Sequence, residues 1–180
     1  MSKTIKLRKG LDIRLVGVAN KVKTEVAAPK TISLKPADFH GMTPRMLVKE
    51  GESVKTGQAV FQDKYNEPIK FASPVNGTIQ AIVRGDKRRI LEVVIALDEN
   101  QESNSTGTID VSAMSNEEVK EKMLASGLWP FIRQRPLDVI ADPANNPKAI
   151  FVSAFDSSPL APDFDFVLHG KNKEFQAGLD

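Results

Sequence analysis

Residues 47–82, LVKEGESVKTGQAVFQDKYNEPIKFASPVNGTIQAI, alternate short apolar and polar runs around two glycine-centred turns, and their reading decides the fold. Gly51 and Gly57 bracket Glu52–Thr56, so the backbone can turn twice around one valine, Val54, which is expected in the core. Ser73-Pro74-Val75-Asn76-Gly77 reads as a second hairpin, with Asn-Gly suited to positive φ and Val75 as a further core anchor. Working outward, Thr31–Leu34, Met46–Val48, Ala59–Phe61, Ile69–Phe71, Thr78–Ile82 and Ile90–Leu97 read as short strands punctuated by Gly, Pro and Asn. They predict a compact β domain over residues 31–99.

The paired turns and alternating segments resemble the biotinyl/lipoyl barrel-sandwich module. Before it, residues 1–30 are expected to hold two short strands between Thr4 and Leu15, turning at Gly10. After it, ENQESNSTGT (99–108) is too poor in apolar groups to bury itself, and a linker is expected over 100–112. Beyond the linker the period becomes helical. Ser115 is a candidate N-cap, Glu118 closes a capping box, and Met114 with Val119 forms a staple. Val119, Met123 and Leu124 make the apolar stripe, Gly127 suits a left-handed C-cap, and Pro130 prevents continuation. Lys148–Ala154 reads as a buried strand, followed by an acidic loop. The overall class is mixed α and β: a barrel-sandwich domain followed, over 113–180, by the beginning of a Rossmann-like α/β domain. The C-terminal LHGKNKEFQAGLD reads as a loop running into a short helix, and the chain is expected to be a piece of a longer protein.

Composition narrows the function classes. With 25 basic and 23 acidic residues the net charge is only +2, and aromatics make up 6%, which argues against nucleic acid as the main partner. The absence of cysteine removes disulfides, thiolate nucleophiles and cysteine-held iron–sulfur or zinc from this stretch. Its longest apolar run, Ile90–Leu97, is interrupted by Glu92 and is too short to span a bilayer.

Lys64 follows Asp63 as a carrier lysine does in lipoyl domains, so a lipoyl- or biotinyl-lysine is one reading. It lies nine residues before Ser73, about two more than a symmetric carrier hairpin tolerates, and an ordinary exposed lysine fits that register better. His40 and His169 are the only histidines, and neither has a second metal-type residue at ligand spacing. Asp156, Asp163 and Asp165 are expected to cap turns. Ser157 and Ser158 lack a nucleophile elbow.

Four ordered blocks carry a wider resemblance: KLRKGLDIRLVG (6–17), GMTPRMLVKEGESVKTGQAVF (41–61), PIKFASPVNGTIQAIVRGDKRRILEVVI (68–95) and LWPFIRQRPLDVIADPANNPKAIFVSAFDSSPLAPDF (128–164). In that order they resemble the A subunit of the sodium-translocating NADH:quinone oxidoreductases. The resemblance implies a peripheral component on the cytoplasmic face of the bacterial inner membrane. Its complex would oxidise NADH, reduce ubiquinone and pump sodium, and its partners would include an integral membrane subunit. FMN, FAD, riboflavin and iron–sulfur centres are then expected in the other subunits, none of them in this chain, and ubiquinone stays open as a ligand of the whole subunit. A carrier domain, or a subunit of a related iron–sulfur electron-transport complex, remains as an alternative.

EEVKEKMLASGLWPFIRQRP (117–136) followed by KAIFVSAFDSSP (148–159) also resembles the FMN- and NADH-binding subunit of respiratory complex I. There a Ser-Gly-Leu opens a glycine-rich loop, whose bare N–H groups can approach phosphates without a Cβ in the way. Ser126-Gly127-Leu128 is kept, but Trp129-Pro130-Phe131 follows, and the proline removes a donor while the rings obstruct approach. Loss of the flavin and NADH site is therefore expected, leaving an architectural role. Trp129, Phe131, Arg133 and Arg135 are candidate contacts for a quinone ring or a protein partner. Arg84, Lys87, Arg88 and Arg89 around the Gly85-Asp86 turn are candidate contacts for an acidic partner or lipid headgroups.

Overall fold

The computed structural model describes residues 6, 10, 15–17, 20–101, 110–156, 158 and 160–179. The strands expected on either side of Gly10, and the middle of the expected linker, lie outside these residues. Packing divides the chain into two compact units, one of Ala27–Asn146 and one combining Met1–Val26 with Pro147–Asp180.

The first unit is built on seven strands: β1 (Thr31–Leu34), β2 (Pro44–Met46), β3 (Ser53–Val54), β4 (Ala59–Asp63), β5 (Lys70–Ala72), β6 (Gly77–Arg84) and β7 (Ile90–Leu97). They form a four-stranded sheet in the order β1-β7-β6-β3 and a three-stranded sheet in the order β2-β4-β5. All pairings are antiparallel. Alternation along β6 buries Ile79 while leaving Gln80 exposed, which is how one face of a sheet reaches the core. Val54, Val60, Phe61, Ile79, Val93 and Ile95 are essentially inaccessible. Phe61 and Phe71 stack with centroids 4.6 Å apart.

The double turn around Val54 forms as expected: Gly51 and Gly57 take φ of +81° and +83°, and Val54 is buried between them. The reading of 73–77 as a hairpin is corrected. Since β5 and β6 belong to different sheets, Ser73–Asn76 carries the chain across the sandwich. Nor is Gly77 in a left-handed conformation. It is glycine because a Cβ there would stand 2.2 Å from the Ala96 carbonyl oxygen. Asn76 serves the crossing instead, its Oδ1 accepting from the Thr56 N–H at 2.8 Å and hydroxyl at 3.0 Å. Val75 is half-buried against the core. The second strand forms at Pro44–Met46, slightly before its expected position, with Val48 buried just after it.

Helix α1 (Asn116–Ala125) starts with the expected reciprocal cap. The Ser115 hydroxyl oxygen accepts from the Glu118 N–H at 3.3 Å, and the Glu118 carboxylate accepts from the Ser115 N–H at 2.7 Å. The bond from the Ser115 N–H foremost, and then one from the Ser115 hydroxyl at 2.9 Å, hold the Glu118 carboxyl below its ordinary range. Met123 and Leu124 turn toward the β-sandwich core. A short hairpin that sequence periodicity does not signal follows, β8 (Arg133–Gln134) against β9 (Val139–Ile140).

In the second unit the expected buried strand at 148–154 is overturned. Residues 149–155 form no strand and are exposed, with Phe151 at 93% and Phe155 at 80%. The run is apolar on both sides, and no second strand stands beside it among the described residues to take up its backbone groups. Two helices follow, α2 (Phe164–Leu168), capped by Asp163, and α3 (Asn172–Leu179) at the expected C-terminal position. No helix is long and apolar enough to cross a membrane among the described residues.

Candidate functional site

The turn after α1 decides whether a phosphate-bearing cofactor can be held. Gly127 has φ +72° and closes a Schellman motif, with the Leu128 N–H donating to the Met123 carbonyl at 3.1 Å and its own N–H to Leu124 at 3.3 Å. A Cβ on Gly127 would meet the Ala72 Cβ at 2.6 Å and the Ala72 nitrogen at 3.0 Å, so the helix end rests directly on β5. Trp129 then enters a single 3₁₀ turn, Trp129–Phe131, where it is 4% exposed and joins the core. Its indole N–H donates to the Ala141 carbonyl at 2.7 Å, and Pro130 is fully buried beside it. The N–H groups of Ser126, Gly127, Leu128, Phe131 and Ile132 are all spent on carbonyls within this segment. A phosphate cradle needs several such donors converging on open space, and here they converge on the protein itself.

The aromatic and basic candidates separate in space. Trp129 faces inward, whereas Phe131 is 70% exposed, with its ring edge-on to Phe39 at 6.0 Å. Phe39 in turn packs edge-on to Phe71 at 4.7 Å, so the exposed ring extends an aromatic row rooted in the core. Arg133 and Arg135 share one carboxylate, Asp138, at 3.1 and 3.7 Å. Asp138 stands at φ +56° in the β8–β9 turn, which accommodates Asp better than most side chains. The Arg135–Pro136 peptide within this loop is cis. Phe39, Asp138 and Ala72 escaped the sequence reading. Their roles depend on neighbours 92, 5 and 55 residues away, as Phe39–Phe131, Asp138–Arg133 and Ala72–Gly127 show.

The β6–β7 connection carries the densest positive charge. Arg89 N–H donates to the Asp86 carbonyl at 3.1 Å across Lys87 (φ +53°) and Arg88 (φ +61°), the geometry of a type I′ hairpin turn. Both central positions favour Asn or Gly, and left-handed backbone costs an ordinary residue about 1–2 kcal/mol. Arg84 bends back to donate to the Arg88 carbonyl at 3.2 Å. None of Arg84, Lys87, Arg88 and Arg89 forms an ion pair with a described residue. Arg89 also borders a hollow of about 140 Å³, beside Phe39, His40 and Met42.

The remaining candidates are held in ordinary ways. Lys64 lies in the β4–β5 turn, its N–H donating to the Thr43 carbonyl at 2.8 Å and its Nζ standing 5.5 Å from the Tyr65 ring centroid. Asp156 accepts from the Ser158 N–H at 2.8 Å, which lowers its pKa. Asp163 pairs with Lys21 at 2.5 Å and caps α2 through the Phe166 N–H at 3.1 Å; the Lys21 bond is the main reason its pKa is lowered. No group of three His, Cys, Asp or Glu able to hold a metal ion occurs among the described residues.

Comparison with known proteins agrees with this architecture. Residues 5–98 match the family model for the NqrA N-terminal barrel-sandwich hybrid domain, and residues 114–180 match that for the NqrA second alpha/beta domain. The A subunit of the Na(+)-translocating NADH-quinone reductase of Pseudomonas aeruginosa (strain UCBPP-PA14) is 40% identical over 178 residues, covering 97% of this chain and 40% of that protein. The same subunit of Serratia proteamaculans (strain 568) is 40% identical over 179 residues, and that of Marinomonas sp. (strain MWYL1) 38% over 176, with the same coverage of 97% and 40%. The chain thus spans about 40% of the length of these curated relatives. With its β-sandwich matched over 5–98 and most of its length aligned at this identity, the chain belongs to the NqrA family, the A subunits of the Na(+)-translocating NADH-quinone reductases.

Proposed function

We propose that this chain serves as an architectural part of a peripheral subunit in a sodium-pumping NADH:quinone oxidoreductase, on the cytoplasmic face of a bacterial inner membrane. In this reading NADH, FMN, FAD, riboflavin and iron–sulfur chemistry belongs to other subunits. Residues 31–99 and 113 onward act as separate domains of the full subunit, joined through 100–112. The observation that carries the reading is the turn after α1, where Trp129 and Pro130 are buried and the surrounding N–H groups are already spent. A segment packed this way holds two parts of a subunit together and leaves few main-chain donors for a pyrophosphate.

Docking falls to the exposed candidates. Arg84, Lys87, Arg88 and Arg89 present uncompensated positive charge to a neighbouring acidic subunit, and Phe131, flanked by Arg133 and Arg135, offers a ring to a quinone headgroup or to a partner. The test is titration of the purified chain with FMN and with NADH, followed by flavin fluorescence and thermal unfolding. No binding is expected at micromolar ligand, and saturable binding of either would overturn the reading. Charge reversal of Lys87 and Arg88 should in parallel lower recovery of the integral membrane subunits in a pull-down.

A further inference from the structure

The connection between β1 and β2 treats its main-chain donors in the opposite way from the turn after α1. Gly41 stands there at φ +79°, and a Cβ on it would meet the Val139 Cγ1 at 3.2 Å, so the loop bends through a left-handed residue and is seated on the β8–β9 hairpin. The N–H groups of His40 and Gly41 make no hydrogen bond to a described residue. Both residues line the hollow of about 140 Å³, together with Phe39, Met42, Arg89 and Ile90.

The charge at this hollow is positive. Arg89 forms no ion pair with a described residue, and its acidic neighbours in the chain, Asp86 and Glu92, do not line the hollow, nor does Asp38 beside the loop. A guanidinium fork, an imidazole and two main-chain N–H groups supply donors from several directions. A phosphate group, with oxygens on all sides, can accept from all of them, whereas a carboxylate offers two oxygens in one plane. The volume is well under the roughly 300 Å³ at which pockets for drug-sized ligands begin, so there is room for a small anion and none for a whole flavin or dinucleotide. We propose that the hollow between the 39–42 loop and the base of the β6–β7 hairpin is an anion site that takes a single phosphate group, free or as a headgroup, held by Arg89, His40 and the N–H groups of His40 and Gly41. Of the four hairpin cations only Arg89 lines it, so this site is distinct from a docking surface at the hairpin tip, and either can fail without the other.

Proton–nitrogen correlation NMR of the purified 180-residue chain tests this, with inorganic phosphate titrated at an ionic strength held constant with chloride. The expected result is saturable movement of the His40 and Gly41 amide signals with a midpoint of about 1 mM. Arg89→Gln should weaken it about tenfold or more, and Lys87→Gln, which removes a hairpin cation that does not line the hollow, by less than about twofold. Arg89 is exposed and unpaired, so an unchanged unfolding midpoint is expected to show that the variant is folded. Movement that never saturates would overturn the proposal, as would equal losses in the two variants, which would mean diffuse charge, or acetate binding as tightly as phosphate. Sedimentation with phosphatidylcholine vesicles, with and without phosphatidylglycerol, then identifies the source of the phosphate. Binding that needs phosphatidylglycerol and is abolished by Arg89→Gln assigns the headgroup; no binding, or binding untouched by that substitution, assigns the free anion.

Discussion

The β-sandwich and the 147–179 segment have comparable supplies of large apolar residues and opposite fates. In the first, Val60, Phe61, Ile79, Val93 and Ile95 vanish from solvent; in the second, Ile150, Phe151, Val152 and Phe155 remain on the surface. The difference lies in partners. Each strand of the sandwich has an antiparallel neighbour within the described residues, β4–β5 and β6–β7 joined by short connections and β1 paired to β7 from the far end of the domain. The run at 149–155 has the composition of a core strand and no strand beside it among the described residues. Burial is a property of pairs, and apolar content sets only the demand for it.

The sharpest way to break the comparison is to remove the residue that ties helix α1 to the sandwich. Trp129→Ala should cost about 3–5 kcal/mol, since it empties a buried site and leaves the Ala141 carbonyl without its indole donor. Chemical denaturation would show it as a fall in midpoint at constant slope. An unchanged midpoint would mean that the α1 segment is loosely held. Gly127→Ala should follow at about 1–3 kcal/mol, because the new methyl meets Ala72 and the backbone is left-handed.

A change of opposite sign is expected at the basic hairpin. Replacing Lys87 and Arg88 together by Asn and Gly relieves two left-handed residues and should raise stability by about 1 kcal/mol. If those cations serve docking, the same double variant also loses affinity for the integral membrane subunits; a gain in melting temperature with docking intact would show the strain to be incidental.

The smallest effect is one of pH. The Glu118 carboxyl is held below its ordinary value of 4.5, so its contribution to the start of α1 is fully present above that value. It is lost as pH falls through the lower folded value. Amide exchange at the first turn of α1 should therefore quicken in acid, and in Glu118→Gln that pH dependence should flatten.

Much of this was legible beforehand because it is local. The Ser115–Glu118 cap, the left-handed Gly127 and the turn pair at Gly51 and Gly57 each depend on residues within a few positions, and each formed as read. The misreadings have the opposite character. Ser73–Gly77 has hairpin chemistry but crosses between sheets, and Gly77 owes its identity to a carbonyl 19 positions away. Lys148–Ala154 has strand chemistry but no strand to pair with among the described residues. At the candidate site, the steric case against a cradle followed from Trp129-Pro130-Phe131, while the inward turn of Trp129 and the outward turn of Phe131 did not.

The amino-acid order alone determined most of the sandwich strands, the double turn at Gly51 and Gly57, the capped start of α1 and the family, since all of these rest on short-range sterics or on motif composition. Only the tertiary structure decided which sheet each strand joins, that α1 and Trp129 close onto the sandwich core, and that Asp138 serves two arginines at once. Those outcomes are set by residues distant in the chain meeting one another, where shape and the supply of partners, more than any local preference, determine which surfaces leave water.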